Sequence, residues 1–334
     1  MRRLRRSGYV VPTLADSGIA GKKKLEHCKD YEDRTKRRIP ESFAAHWSRP
    51  DVGGLLHAMQ GRICAYCLTE RPLDMEHFRP KGAIEGDDSH PGYWWLAYDA
   101  ANYVLACTAC NRDRKGTRFP LRAGAVRATY DTRHTLAAEQ RILLDPVDDE
   151  VEVCFALDDD PTCPILPAPE LQAAEWARVQ EVIDFFGLNL DATVRTKRSL
   201  VYEQAVRAIE EGRWSDVQRM AMRHREQSFA ARFALARAAP ERLPKEEDEL
   251  KDLVSMLWSD LKVQIAELNK LKARSKTPRA LDRRQLQSYC WALIVLQQDP
   301  AARLAEVVQD YLTELLRGET EESAQDILEA FRSV

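Results

Sequence analysis

No stretch of the 334-residue chain approaches 18 consecutive apolar residues, so the sequence offers no membrane-spanning helix. The basic opening, Met1 to Arg6, is followed by no apolar run of signal-peptide length, which points to a cytoplasmic protein. A large excess of charge is also missing. The formal net charge of -3 argues against a generic nucleic-acid coat, because such proteins neutralise many phosphates and are basic throughout. Neither an internal repeat nor a recognisable base-reading module is present. What the chain does have, 44% apolar and 31% charged residues, suits a soluble globular protein with one good core and a second, smaller one.

Charge is unevenly spread. Residues 1 to 40 carry 12 Lys or Arg against 5 Asp or Glu, and read as an extended basic arm that is either solvated or in contact with phosphate or a partner. Leu144 to Asp160 holds 8 acids and no base.

A helix is expected from about Pro40, with Phe43, Ala44 and Trp47 at helical spacing, and a second from Val52 to Gln60. From Ile63 to Pro120 the pattern is short and irregular and has too little core to fold without a staple. Near Pro169 the texture changes to long apolar patterns at helical spacing. Val179, Val182, Ile183 and Phe186 mark one helix; Val194, Leu200, Val201, Ala205 and Ile209 mark another, which Gly212 ends. Leu250, Leu253, Leu257, Leu261, Ile265, Leu268 and Leu271 form a long stripe suited to core packing or to a partner helix. Helices over 279 to 297 and 300 to 316, and a short one after Glu319, complete the chain.

The staple is visible in the cysteines. Of the eight, Cys64 and Cys67 form one C-x-x-C pair and Cys107 and Cys110 another. A two-residue gap lets both thiolates of a tight turn face one ion, and two such turns make a closed tetrahedral zinc site. With no open position for water, that zinc is structural. Cys28, Cys154, Cys163 and Cys290 lack such spacing and read as packed thiols. His57, His90 and His134 read as structural or surface residues, and Tyr93, Trp94, Trp95 and Tyr98 as core around the lobe or as a stacking surface for bases.

Between the knuckles lies Asp74-Met75-Glu76-His77-Phe78-Arg79-Pro80-Lys81, and Asn111 follows the second knuckle, with Lys115 four residues later. Phosphodiester hydrolysis needs an imidazole to take a proton from water, oxygen ligands for a divalent cation, and a cation near the developing charge. His77 fits the first role, and Glu76 with Asn111 the second. Arg79, Lys81 and Lys115 are candidates for the substrate phosphate. One carboxylate and one amide, completed by water and phosphate, suit Mg2+ or Mn2+ better than zinc.

This order of motifs, with Trp95-Leu96-Ala97-Tyr98-Asp99 and Asn102 between the pairs and Cys-x-x-Cys-Asn-x-x-x-Lys-Gly at the end, resembles the zinc-stapled branch of the HNH, or ββα-metal, nucleases. The resemblance implies that His77 is the general base, Glu76 and Asn111 are ligands of the catalytic metal, and Asn102 braces the His77 loop. It departs from the pattern in having Glu before the His and Asn as the last motif residue; both keep an oxygen donor. Over residues 43 to 190 the chain is similar to the HNH proteins of Septu-type bacterial antiphage defence systems, also found beside retrons. That similarity implies a companion ATPase of the ABC or SMC kind.

The expected fold class is therefore α+β and mostly helical, a small zinc-stapled ββα-metal lobe plus a large α-helical C-terminal region. Its expected parts are the basic arm over 1–40, the HNH domain over 41–168 and a partner-binding helical domain over 169–334. The expected function is metal-dependent cleavage of nucleic acid, DNA in preference to RNA. The alternatives are a non-catalytic zinc-stapled adaptor that grips nucleic acid within an ATPase complex, and a modification-dependent restriction enzyme.

Overall fold

The structure is a computed structural model that describes residues 46–158, 160, 162–273, 280–298, 305–332 and 334. The basic arm and the helix start expected near Pro40 lie outside the described residues; His46–Ser48 form a single 3-10 turn. The class is α+β and mostly helical.

The described chain divides into two compact units, residues 62–243 and residues 46–61 with 244–334. The change of texture near Pro169 therefore falls inside the first unit, while the first helix, α1 (Pro50–Gln60), belongs to the second.

In the first unit, strands β1 (Leu73–His77) and β2 (Tyr103–Cys107) pair antiparallel, with Leu73 opposite Cys107 and His77 opposite Tyr103. A helix with i→i+5 hydrogen bonds, Ala109–Lys115, follows β2 and ends at Gly116, whose φ of 51° favours glycine. A second hairpin, β3 (Phe155–Leu157) with β4 (Ile165–Pro167), leads into helices α2 (Ala173–Phe186), α3 (Ala192–Glu210), α4 (Trp214–Met220) and α5 (Ser228–Ala238). Helix α2 buries Val179, Val182, Ile183 and Phe186, the set that the spacing predicts. It ends at left-handed Gly187, where the Leu188 amide donates back to the Ile183 carbonyl at 3.0 Å. Helix α3 is capped by the Asp191 carboxylate, which accepts from the Val194 amide, and stops before Gly212 at φ 70°.

Leu200 corrects the expected α3 stripe: it is 51% exposed. Ala205 and Ala208 face the core instead, against Val217, Ala221, Ala231, Ala234 and Leu235. Around the first hairpin the core is aromatic. Phe78, Tyr93, Trp94, Tyr103 and Phe119 are fully buried, so the Tyr93–Trp95 run is packing rather than a stacking surface.

The second unit packs α1 against α7 (Ala280–Gln298), and α7 against α6 (Glu246–Ala273) and α8 (Ala305–Arg317); α9 (Glu321–Arg332) completes it. Leu250, Leu253, Leu257, Leu261 and Leu268 of the α6 stripe are buried, whereas Ile265 and Leu271 are half-buried. Core packing is thus the use of most of that stripe.

Candidate active site and metal centre

Cys64, Cys67, Cys107 and Cys110 are buried, and their sulfurs all lie within 4.8 Å of one another. Cys67 Sγ and Cys107 Sγ are 3.8 Å apart, close to the edge of a tetrahedron whose centre-to-sulfur distance is about 2.3 Å, the zinc–thiolate bond. Burial pushes the Cys64 thiol well up, so four thiolates in this space require a cation to hold them charged. The donor set and its spacing fit a structural zinc.

The first knuckle is locked from both sides. The Leu68 amide donates to the Cys64 carbonyl at 3.0 Å, and the Ala65 amide reaches the Leu105 carbonyl on β2 at 3.0 Å. Tyr66 stacks on Phe186 of α2 with ring centroids 4.3 Å apart. From α5's approach, Gln227 donates through Nε2 to the Cys67 carbonyl at 2.8 Å and to Thr69 Oγ1 at 3.0 Å, while its amide donates to the Leu68 carbonyl. Gln227 is buried at φ 51°. Its distance of 160 residues from Cys67 leaves no sequence signal that would find it.

Glu76 and His77 are neighbours on β1, so their side chains leave opposite faces. Both are buried, at 8% and 6% exposure. Glu76 faces the helix Ala109–Lys115, where its Oε1 accepts from Lys115 Nζ at 2.5 Å; the same ammonium donates to the His77 carbonyl at 3.1 Å. In an i→i+5 helix residues five apart return to nearly the same face, and Cys110 and Lys115 are the two buried residues of this one. The second knuckle and the Glu76 contact therefore share a single turn. Burial raises the Glu76 carboxyl while Lys115 and then Lys81 oppose that rise.

His77 Nε2 lies 3.0 Å from the Ala97 carbonyl, and its ring meets Tyr103 edge-on. A carbonyl only accepts, so Nε2 carries the proton and the basic lone pair is on Nδ1. Burial, reinforced by the charge of Lys81, pushes the imidazole down to about 3, which keeps it neutral near pH 7. Lys81 is half-buried and its own pKa is lowered by burial.

Asn102, buried ahead of β2, holds the peptide of Arg79 on both sides: Oδ1 accepts from the Arg79 amide at 2.7 Å and Nδ2 donates to the Arg79 carbonyl at 3.0 Å. Two residues read as phosphate contacts are engaged internally. Lys115 is fully buried on Glu76, and the Arg79 guanidinium donates to Glu139 at 3.2 Å among the rings of Phe78, Tyr93 and Phe119. Glu139, which no motif singles out, also accepts from Tyr93 Oη at 2.7 Å and the Ala128 amide at 2.8 Å. Asn111 is half-buried one turn before Lys115, and among the described residues no hydrogen bond joins its side chain to Glu76 or His77.

A buried four-cysteine cluster at the base of a β-hairpin and in the short helix that follows it, with a buried carboxylate, imidazole and lysine on the same hairpin and helix, defines a four-cysteine lobe with a polar interior that fits a zinc ion. In sequence the chain is similar to Septu protein PtuB of Bacillus mycoides (strain KBAB4), 34% identical over 149 residues that cover 42% of this chain and 49% of that protein. The chain thus matches about half the length of this curated relative. No family model matches the chain, and no solved structure matches it. Among the described residues no helix is long and apolar enough to cross a membrane.

Proposed function

We propose that this chain is an HNH-type endonuclease that hydrolyses phosphodiester bonds of nucleic acid, DNA in preference to RNA, as the effector of a bacterial antiphage defence system controlled by a companion ABC- or SMC-type ATPase. The observation that carries the proposal is the hairpin geometry: an imidazole held on the Ala97 carbonyl and a carboxylate held by Lys115 sit at the end of β1, whose other end pairs with Cys107 of the four-cysteine cluster. The similarity to a Septu protein supports the defence role and the need for a partner.

In this reading His77 takes the proton of the attacking water on Nδ1 as the P–O bond to the leaving oxygen breaks, and solvent protonates that oxygen. Ala97 and Tyr103 fix the imidazole, and Asn102 fixes the turn that follows it by holding the Arg79 peptide. Glu76 and Asn111 would hold Mg2+ or Mn2+, which supplies Lewis-acid polarisation of the phosphate. Lys81, half-buried beside the hairpin, is the residue assigned to a phosphate oxygen, while Arg79 and Lys115 hold the frame through Glu139 and Glu76.

The test is His77→Ala in the chain purified with its companion ATPase, given Mg2+ or Mn2+ and a mixed pool of DNA and tRNA. Cutting should fall by about 10²–10⁴-fold with zinc content unchanged. A variant that cuts as fast as the parent removes His77 from the mechanism.

One observation favours the adaptor reading: two of the three cations read as phosphate contacts are already paired inside the protein. That reading predicts nucleic-acid binding without product even with metal and ATPase present.

A further inference from the structure

Several guanidiniums of the hairpin lobe are spent on carboxylates. Arg79 reaches Glu139, Arg112 reaches Asp74, Arg127 reaches Asp87 and Arg141 reaches Asp149, each within 3.2 Å. Arg114 and Arg118 differ: among the described residues neither guanidinium makes a hydrogen bond or an ion pair. Both are half-buried at the exit of the helix Ala109–Lys115, one residue before and three after the Lys115 that holds Glu76.

Each is laid on a support at the C-terminal end of α2. Arg118 Cζ lies 4.6 Å from the centroid of the Phe185 ring. A Cβ on Gly187 would fall 2.7 Å from Arg114 Cζ, so that guanidinium covers space that any other residue there would fill. A cation at a helix C-terminus has a structural use, because it favours the dipole and can cap the last carbonyls. Those carbonyls are already taken. Ile183 accepts from the Leu188 amide, Asp184 from the Gly187 amide, and Gly187 from the amides of Leu190 and Asp191. The acids nearby do not use the guanidiniums either: Asp184 Oδ1 accepts from Gln180 Nε2 at 3.1 Å, and exposed Asp113 forms no ion pair with them.

Two planar groups with five N–H donors apiece are thus ordered on the protein and given no acceptor by it. Their geometry matches an oxyanion that accepts two parallel bonds, phosphate above all. A ligand with one phosphate at the hairpin and further phosphates at regular spacing is a nucleic-acid strand.

We propose that Arg114 and Arg118 bind backbone phosphates of the strand that flanks the hairpin site, held ready by Gly187 and Phe185 of α2. They fix the position of the strand and carry no base information. The inference rests on the reading of the lobe as one that engages nucleic acid, which the nuclease and the adaptor share.

The test uses the zinc-loaded full chain without added Mg2+ or Mn2+, so that binding is read rather than cutting. Affinity for a short DNA duplex and for a tRNA is measured by fluorescence anisotropy over about 50–200 mM salt, and the tighter-bound of the two is carried forward. Arg114→Gln with Arg118→Gln should weaken binding about tenfold and reduce the slope of log affinity against log salt by about 1–2, with zinc content unchanged. Arg213→Gln with Arg219→Gln removes the same charge from guanidiniums already paired with Asp216, and should leave the slope as it is. In the parent chain, which needs no variant to fold, phenylglyoxal should modify Arg114 and Arg118, and the nucleic acid should shield both, read by mass spectrometry. A parent slope retained by the Arg114 and Arg118 double variant, an equal fall in the Arg213 and Arg219 control, or no shielding overturns the proposal; an acidic partner surface is then the better ligand for these two residues. Weakened binding and a reduced slope in the double variant, with no cutting by the parent once metal and ATPase are supplied, leave this inference standing and sink the nuclease reading. Cutting by the parent with an unaltered slope in the double variant does the reverse.

Discussion

The two units bury different chemistry. Around the first hairpin, Glu76, His77, Asn102, Lys115 and Glu139 lie beneath the surface with four cysteines, each polar group answered by a specific partner. In the second unit the interior is Leu253, Val254, Leu257, Leu261, Leu293, Val295 and Leu296, with polar contacts at the margin such as Trp258 Nε1 donating to Glu319 at 3.1 Å. The difference shows what each depends on. Helices that bury an apolar stripe need only area removed from water, which is non-directional and forgiving of small shifts. The lobe has buried aromatics as well, but it also encloses charges and amides whose geometry rests on directional bonds and on the ion that its cysteines are spaced to hold.

The largest expected effect falls on the staple. Structural zinc contributes about 10–16 kcal/mol in small zinc-folded peptides at pH 7, so Cys107→Ser or strong chelation should unfold the hairpin lobe outright. Zinc content and the near-ultraviolet signal of the buried Trp94 and Trp95 should collapse while most helical circular dichroism remains. Equal loss of both signals would show that the comparison is too sharp and that the two units fold together.

A cavity in the helical unit should cost less and leave the lobe alone. Leu257 is fully buried, and Leu257→Ala should destabilise the chain by about 2–5 kcal/mol in denaturant melts, with zinc content and Mn2+ binding unchanged. A loss of zinc in that variant would tie the lobe to the bundle more closely than the contrast allows.

The smallest effect sharpens the same point. Gly54 lies inside α1, where alanine would ordinarily favour the helix by about 0.5–1 kcal/mol. A Cβ at that position would sit 2.3 Å from Trp291 Cβ and 2.8 Å from the Ala292 amide nitrogen, so α7 passes directly over the backbone. Gly54→Ala should therefore lower stability by about 1–3 kcal/mol, packing overriding propensity. A stabilised variant would mean that α1 and α7 can separate to admit the methyl group.

The extent to which the site is legible in the sequence follows the range of the interaction. The knuckles are legible because a two-residue gap is a local constraint, and each pair needs only to meet the other once. The helix end at Gly212 is legible for the same reason, since it lies at a φ of 70° in the left-handed region that favours glycine. The α3 stripe is misread at Leu200 because periodicity finds an apolar face without saying what covers it, and that position is half exposed. Lys115 and Arg79 read as phosphate contacts because nothing local marks a cation that already has a partner.

By itself the sequence determined the mostly helical α+β class, the cluster of four cysteines and the apolar face of the helix that buries Val179, Val182, Ile183 and Phe186. Only the tertiary structure decided that Glu76 pairs with Lys115, that Arg79 turns to Glu139, and that Gln227 returns across 160 residues to hold Cys67. A buried charge or amide must find a partner wherever the fold brings one within about 3 Å, and that choice is made by surfaces meeting in space rather than by spacing along the chain.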